Sequence, residues 1–305
     1  YKRPFQKWQK REIIEDLDQT QKDHNERIIH FVDGPFVEIK GRQKNKYQVR
    51  FIDLSTETIV YEVKIENNNW CRCSRKYYTD WKIEIINLST GEKEEHVFDA
   101  RDKRVLINFG SSSLGDTIAW FPYLEEFERA HGCKIIACTF KNDLFRSEYP
   151  SFEFVEPGRS LPNLYASYEL GWFYEDGEEF NRFKNPRNVR KMPLQETSTD
   201  ILGLSFSTKK PRISVIDKER KKRENNVCIG IHSTAQAKYW NNPVGWQEVT
   251  DHFINAGYKV VLLSLEEDGY MGNKHPVGIV RPDGPRSLEN TISYLHGAEL
   301  FIGVG

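Results

Sequence analysis

The sequence predicts an α/β protein in which two Rossmann-like halves follow a small antiparallel β domain. From residue 104 onward, short apolar runs typical of buried parallel strands alternate with amphipathic helical segments. The charged run 217–224 contains no large apolar residue, so we interpret it as a solvated connector that divides this region in two. The predicted segments are a charged leader helix or arm (1–27), the β domain (28–102) and the two halves (103–216 and 217–305).

The region 28–102 contains β-type runs separated by turn residues and is rich in aromatic residues that favour strands. The predicted strands are Phe36–Lys40, Tyr47–Asp53, Thr58–Ile65, Tyr78–Ile86 and Glu95–Asp99. No nucleotide-binding motif occurs in it. The region therefore has three possible roles: acceptor binding, subunit assembly or a purely structural cap.

In the α/β region each half supplies several strands and helices. The predicted strands are Val105–Asn108, Lys134–Cys138, Glu153–Val155, Arg212–Val215, Val227–Ile231, Val260–Ser264, Gly278–Arg281 and Leu300–Val304. The predicted helices are 116–131, 141–148, 193–203, 243–256 and 287–297. Ser287 is expected to be an ordinary helix N-cap.

Composition restricts the possible partners. A net charge of −1 gives no electrostatic argument for nucleic acid or an anionic membrane, and no apolar run approaches the roughly 20 residues of a membrane span. The five cysteines, an odd number without framework spacing, favour a reducing compartment. Cys71 and Cys73 are too close for the usual zinc-ligand pair, and Cys133 and Cys138 flank a buried strand. We therefore predict no metal site and no cofactor within these residues.

The first candidate site is the Gly/Ser-rich loop from Gly110 to Thr117, which follows a predicted strand and leads into a helix. Its spacing matches neither a dinucleotide fingerprint nor a P-loop. It does place the carboxylate of Asp116 at a helix start. Asp116 is a candidate general base, and the competing interpretation is an N-cap residue.

The second candidate site lies between a predicted buried strand and helix 243–256, where open α/β sheets bind ligands. Ser233, Thr234 and Lys238 offer hydroxyls, backbone N–H groups and an ammonium that suit a phosphate or diphosphate. The alternative is a polar loop with no ligand.

Three further residues near this loop are weaker candidates. Glu266, after the next predicted strand, is placed to accept hydrogen bonds from a donor ribose or adenine. His232 is expected to orient the acceptor, act as an alternative base or be purely structural. Trp240 either covers a sugar or packs against the loop, and packing is favoured.

Together these segments resemble the ADP-heptose-dependent heptosyltransferases. The shared motifs are SLGDT at 113–117 with Pro122, HST at 232–234, KYW at 238–240 and FIGVG at 301–305. Within that group the chain is more similar to the bacterial autotransporter heptosyltransferases. Their additional motifs are FVDGPFVEI at 31–39, Ala119-Trp120, FVEPG at 154–158, DILGL at 200–204 and GWQEV at 245–249.

The resemblance implies a GT-B fold and inverting, metal-independent transfer of heptose from ADP-heptose. The implied acceptors are serine hydroxyls of an autotransporter passenger in the cytoplasm before its export. By this resemblance Asp116 is the base, and Lys238 stabilises the leaving diphosphate. It also implies a large homo-oligomer, and an iron ion held by a cysteine-bearing tail that follows FIGVG in the family. We therefore expect the second half to be incomplete here.

Two alternatives remain open. The first is the same donor class with a lipopolysaccharide sugar or another protein as acceptor. The second is a catalytically inactive fragment that serves in binding or assembly.

Overall fold

The structure is a computed structural model that describes residues 26–42, 44–175, 179–215, 225–233, 235–264 and 274–304. The chain forms two compact units. The first comprises the described residues up to Asn142 together with Tyr149–Arg212, and the second comprises Asp143–Glu148 and the described part of Ile213–Gly305. Both units contain parallel strands and helices, which confirms the predicted α/β class.

A seven-stranded mixed sheet forms the centre of the first unit. Its strands in spatial order are β10 (Glu153–Val155), β9 (Lys134–Cys138), β8 (Arg104–Phe109), β11 (Ala166–Leu170), β1 (Glu26–Val32), β2 (Phe36–Lys40) and β5 (Asn69–Arg72). The strands from β10 to β1 are parallel to their neighbours, whereas β1, β2 and β5 pair antiparallel. The sheet therefore joins the α/β strands to strands from the amino-terminal region.

This joining differs from the separate β domain predicted over 28–102. Strand β1 pairs parallel with β11, with Phe31 opposite Ala166, and both of these side chains are buried. On β2, Val37 and Ile39 alternate with partly or fully exposed residues and are completely buried. An apolar face of this kind is stable only against a larger core, so these strands extend the main sheet.

The remaining strands of that region form a four-stranded antiparallel sheet. Its strands in spatial order are β4 (Thr58–Glu66), β3 (Lys46–Asp53), β6 (Trp81–Asn87) and β7 (Lys93–Val97). Tyr47, Val49 and Phe51 alternate along β3 and are fully buried, as the period-two pattern predicts. Antiparallel pairing is thus confirmed for this part, and the strand β4 lies at an edge.

The described residues of the first unit form three α-helices, which are α1 (Leu114–Trp120), α2 (Pro122–His131) and α3 (Leu194–Leu202). The single helix predicted over 116–131 is divided because Pro122 has no N–H to continue α1 and instead occupies the first turn of α2. The predicted helix 141–148 is only a short 3-10 turn at Asn142–Leu144, and Arg212–Val215 is not a strand.

The second unit contains a three-stranded parallel sheet in the order β13 (Lys259–Leu262), β12 (Asn226–Gly230) and β14 (Leu300–Gly303). Its helices are α4 (Gly245–Asn255) and α5 (Leu288–Gly297). The strand predicted at 278–281 reduces to a parallel bridge between Val261 and Val280. The apolar core of the second unit contains Ile229, Val260 and Leu262 from the sheet. Trp246 and Phe253 of α4 pack against these residues.

Several sequence predictions fall on residues outside the described ranges. They are most of the leader segment 1–27, the connector 217–224, Thr234 and Glu266. Within the described part of the chain, no helix is both long and apolar enough to cross a membrane.

Candidate active site

The first candidate loop leaves the carboxyl end of β8, a strand in the interior of the large sheet. The Gly110 N–H donates to the carbonyl of Leu170 on the neighbouring strand β11 (2.8 Å). A Cβ at Gly110 would lie 3.3 Å from both the Glu169 carboxylate and the Leu170 carbonyl, so the close approach favours glycine. The loop is thus held against β11 before helix α1 begins.

Asp116 lies in the first turn of α1 and is partly exposed. The N-cap position belongs to Ser113, so the interpretation of Asp116 as the cap is wrong. In the described part of the chain, no hydrogen bond or ion pair engages the Asp116 carboxylate. Asp116 is therefore an accessible carboxylate with no structural task among the described residues.

The strand β11, which was not predicted, places a second ordered loop beside this one. Asn185 is 1% exposed; its amide oxygen accepts the Phe173 N–H (3.0 Å), and its amide nitrogen donates to the Gly171 carbonyl (2.9 Å). The Trp172 indole N–H donates to Thr197 on α3 (3.0 Å), which fixes a ring that remains 44% exposed. An aromatic side chain is thereby held at the same sheet edge as the Asp116 loop.

The second candidate loop follows β12 in the second unit. His232 and Ser233 are partly buried, and Lys238 is exposed at the end of a 3-10 turn, Gln236–Lys238. The Lys238 backbone N–H is bonded within this turn to the Ala235 carbonyl (3.0 Å). Lys238 therefore presents its ammonium to solvent at the carboxyl side of the sheet.

Trp240 packs as favoured from the sequence, although it remains 44% exposed. Its ring lies edge-on to Trp246 with centroids 5.3 Å apart, and Gly245 leaves the space that the ring occupies. Asn242 accepts the backbone N–H groups of Val244 and Gly245 at 3.1 and 3.0 Å, which starts α4 two residues later than predicted. The loop thus passes into α4 through specific contacts.

His232 takes part in a series of polar contacts with two residues from elsewhere in the second unit. Its Nε2 lies 3.2 Å from Nε2 of His275, whose Nδ1 lies 3.2 Å from an Arg281 guanidinium nitrogen. A neutral imidazole has a single nitrogen that can accept a proton. When Nε2 of His232 is engaged by His275, it is not available to a substrate hydroxyl, so His232 is a poorer base than Asp116.

Sequence reasoning missed His275, Arg281 and Arg286. Arg281 and Arg286 line a shallow cleft in the second unit with Ser264, Ser287 and Asn290. Ser287 caps α5, as predicted, by accepting the Asn290 N–H (3.2 Å). The available signal was Arg281 at the last residue of a predicted strand and Arg286 just beyond it, since arginines at a strand end are suitably placed for anion contacts.

The cysteines are separate and buried. Burial raises the pKa of the Cys71 and Cys133 thiols to about 12 and that of Cys138 to about 11, so these thiols stay protonated. No group of three metal-ligating side chains occurs in the described ranges. The described residues therefore do not fit an iron site.

The chain has known relatives in both sequence and fold. No family model matches the chain. Autotransporter heptosyltransferase TibC of Escherichia coli O78:H11 is 31% identical over 271 residues, which are 86% of this chain and 64% of TibC. Autotransporter heptosyltransferase BAHTCr of Citrobacter rodentium is 31% identical over 295 residues, 93% of this chain and 69% of that protein. The chain thus spans about two thirds of these relatives' length.

The crystal structure of the iron-containing dodecameric glycosyltransferase TibC superimposes with a TM-score of 0.77 at 29% identity, covering 91% of this chain and 72% of TibC. Fold and sequence together define the class as heptosyltransferase-related α/β proteins. The chain belongs to the autotransporter heptosyltransferase family.

One relative carries a different description. The inactive autotransporter heptosyltransferase BimC of Burkholderia thailandensis is 32% identical over 219 residues, 70% of this chain and 50% of BimC. Membership of the family therefore includes proteins without activity, and the function of this chain depends on its own site residues.

Proposed function

We propose that this protein transfers heptose from ADP-heptose to serine hydroxyls of an autotransporter passenger, in the cytoplasm before export. The observation that carries the proposal is Asp116, an accessible carboxylate at the end of an interior parallel strand with no structural partner among the described residues. Support for the donor comes from TibC, which has been crystallised in complex with ADP-D-β-D-heptose.

The reaction requires a base and a group that stabilises the departing diphosphate. Asp116 accepts the proton of the acceptor hydroxyl as its oxygen bonds to the anomeric carbon. The bond from that carbon to the diphosphate breaks, and its electron pair leaves with ADP. Lys238, with Ser233, Thr234 and backbone N–H groups, stabilises the diphosphate charge. Direct attack inverts the anomeric carbon, and no step is assigned to a divalent metal.

The surroundings of Asp116 support a polypeptide acceptor. The fixed, partly exposed Trp172 ring offers an apolar contact surface at the same sheet edge. Aromatic side chains give a large contact area at low entropic cost and are favoured where polypeptides bind. A lipopolysaccharide sugar is the alternative acceptor, and the GT-B arrangement of the two units is part of the proposal.

The decisive experiment is coexpression of the complete gene product with a candidate passenger, followed by mass spectrometry of the passenger. Asp116→Asn keeps the side-chain shape but removes the basic oxygen, so the rate of heptose addition should fall roughly 10²–10⁴-fold. Asp143→Ala, which removes an exposed aspartate paired with Arg146, is the matched control and should modify the passenger normally. An undiminished mass increment with Asp116→Asn would exclude Asp116 as the base.

The second candidate function is a catalytically inactive member that retains binding or assembly. The relative named inactive favours considering it. This function predicts no mass increment on the passenger with the wild-type protein, while ADP binding persists.

A further inference from the structure

Three side chains of the second unit form a continuous chain of polar contacts that the proposed mechanism does not use. An Arg281 guanidinium nitrogen lies 3.2 Å from Nδ1 of His275, and Nε2 of His275 lies 3.2 Å from Nε2 of His232. Another Arg281 nitrogen donates to the Ser264 carbonyl just beyond β13 (3.3 Å). The chain therefore links the ends of two neighbouring strands, β12 and β13.

The arginine determines the protonation of both imidazoles. Because a guanidinium can only donate, Nδ1 of His275 must accept, and the neutral ring then carries its proton on Nε2. That N–H donates to His232, whose Nε2 must in turn be unprotonated. Each link therefore requires a neutral imidazole, since a second proton on either ring would place two N–H groups against each other.

We propose that His275 and Arg281 are positioning residues that hold His232, and with it Ser233, in the conformation that receives the donor diphosphate. The inference rests on the proposed function, because that function assigns these residues after β12 to the donor. His232 directly precedes Ser233 and lies at the carboxyl end of β12. Loss of these contacts would release the His232 side chain and would let the adjacent backbone move, together with the Ser233 hydroxyl and N–H groups proposed to contact phosphate.

The test is calorimetric titration of the complete gene product with ADP. His275→Ala removes both contacts, whereas His275→Gln keeps an acceptor for Arg281 and a donor for His232.

His275→Ala should bind ADP about tenfold more weakly than wild type, and His275→Gln should restore the wild-type affinity. His296→Gln, which replaces a histidine in the last turn of α5, is the control and should bind ADP with wild-type affinity. Equal ADP affinity in wild type and His275→Ala, or no recovery in His275→Gln, would overturn the positioning role. Failure of wild type to bind ADP would instead overturn the proposed donor site.

Discussion

Asp116 and Lys238 illustrate how residue type and local backbone determine a candidate role. Asp116 stands on a regular helix, directly before Thr117, whose hydroxyl donates to the Ser113 carbonyl (2.8 Å). Lys238 closes a short 3-10 turn and is exposed. A base must be held in register with a reacting hydroxyl, whereas a phosphate ligand acts as a charge that tolerates movement. The two settings suit these different requirements.

Replacing Lys238 tests the charge directly. Lys238→Ala should weaken ADP binding roughly ten- to hundredfold, since a hydrogen bond to a charged group contributes about 1.5–3 kcal/mol, and it should slow transfer as well. Lys238→Arg keeps the charge and should lose less of both. Lys259→Ala, which removes a lysine at the first residue of β13 and so at the opposite end of the sheet, is the control for overall charge. Equal ADP affinity in Lys238→Ala and wild type would show that the ammonium does not contact the bound phosphates.

At the residue scale, the sequence predicted those site residues whose position depends on neighbouring segments of the chain. The order of strand, loop and helix placed Asp116 and Lys238 at strand ends without any structure. His275 was missed because it lies 43 residues from His232 and the contact depends on how the intervening chain returns to the sheet. The periodicity of apolar residues does not reveal where a chain comes back to a sheet after a long connection.

At the element scale, two helix ends in the first unit provide a matched pair of glycines. Gly132 ends α2 and Gly203 ends α3, both in the left-handed region with φ of 61° and 67°. A Cβ at Gly132 would make an ordinary contact with Arg101 at 3.5 Å, whereas a Cβ at Gly203 would overlap the Tyr78 ring. Alanine should therefore cause the same backbone strain at both positions, and at Gly203 it should also clash with the Tyr78 ring.

Alanine at Gly132 should cost about 1 kcal/mol of unfolding free energy from backbone strain alone. Alanine at Gly203 should cost about 2–4 kcal/mol, because the buried aromatic cluster around Tyr78 must also shift. Urea unfolding of the two variants measures the difference. Equal losses would mean that the Tyr78 ring moves aside freely.

Element types were easier to predict than element partners. The runs at 36–40, 134–138 and 153–155 are strands over those bounds. The strand β11 was missed although Ala166, Tyr168 and Leu170 alternate with polar residues and are buried. Its short length and internal serine and glutamate weakened the signal. That omission also concealed the pairing of β1 with β11, and so led to the prediction of a separate β domain.

On the scale of the whole molecule, the amino-terminal region offers surfaces for assembly. Ile59 on the edge strand β4 is 52% exposed, and Trp70 on the edge strand β5 is 60% exposed. Edge strands with exposed apolar side chains favour pairing with another chain, and aromatic residues are enriched in interface cores. From these exposed edges we propose that this protein forms a homo-oligomer and that this region supplies contacts.

Deletion of the region is not a suitable test, because β1, β2 and β5 belong to the large sheet and their removal would expose its core. Substitution of one exposed apolar residue by a charged one is a better test than deletion. Ile59→Lys and Trp70→Glu should each lower the molar mass measured by light scattering, because a buried unpaired charge at an interface costs several kcal/mol. Val277→Lys, on a 79% exposed valine of the second unit, should leave the mass unchanged. A monomeric wild-type gene product at micromolar concentration would refute the oligomer. An unchanged mass in the first two variants would place the interface on another surface, because the apolar edge would then be dispensable for assembly.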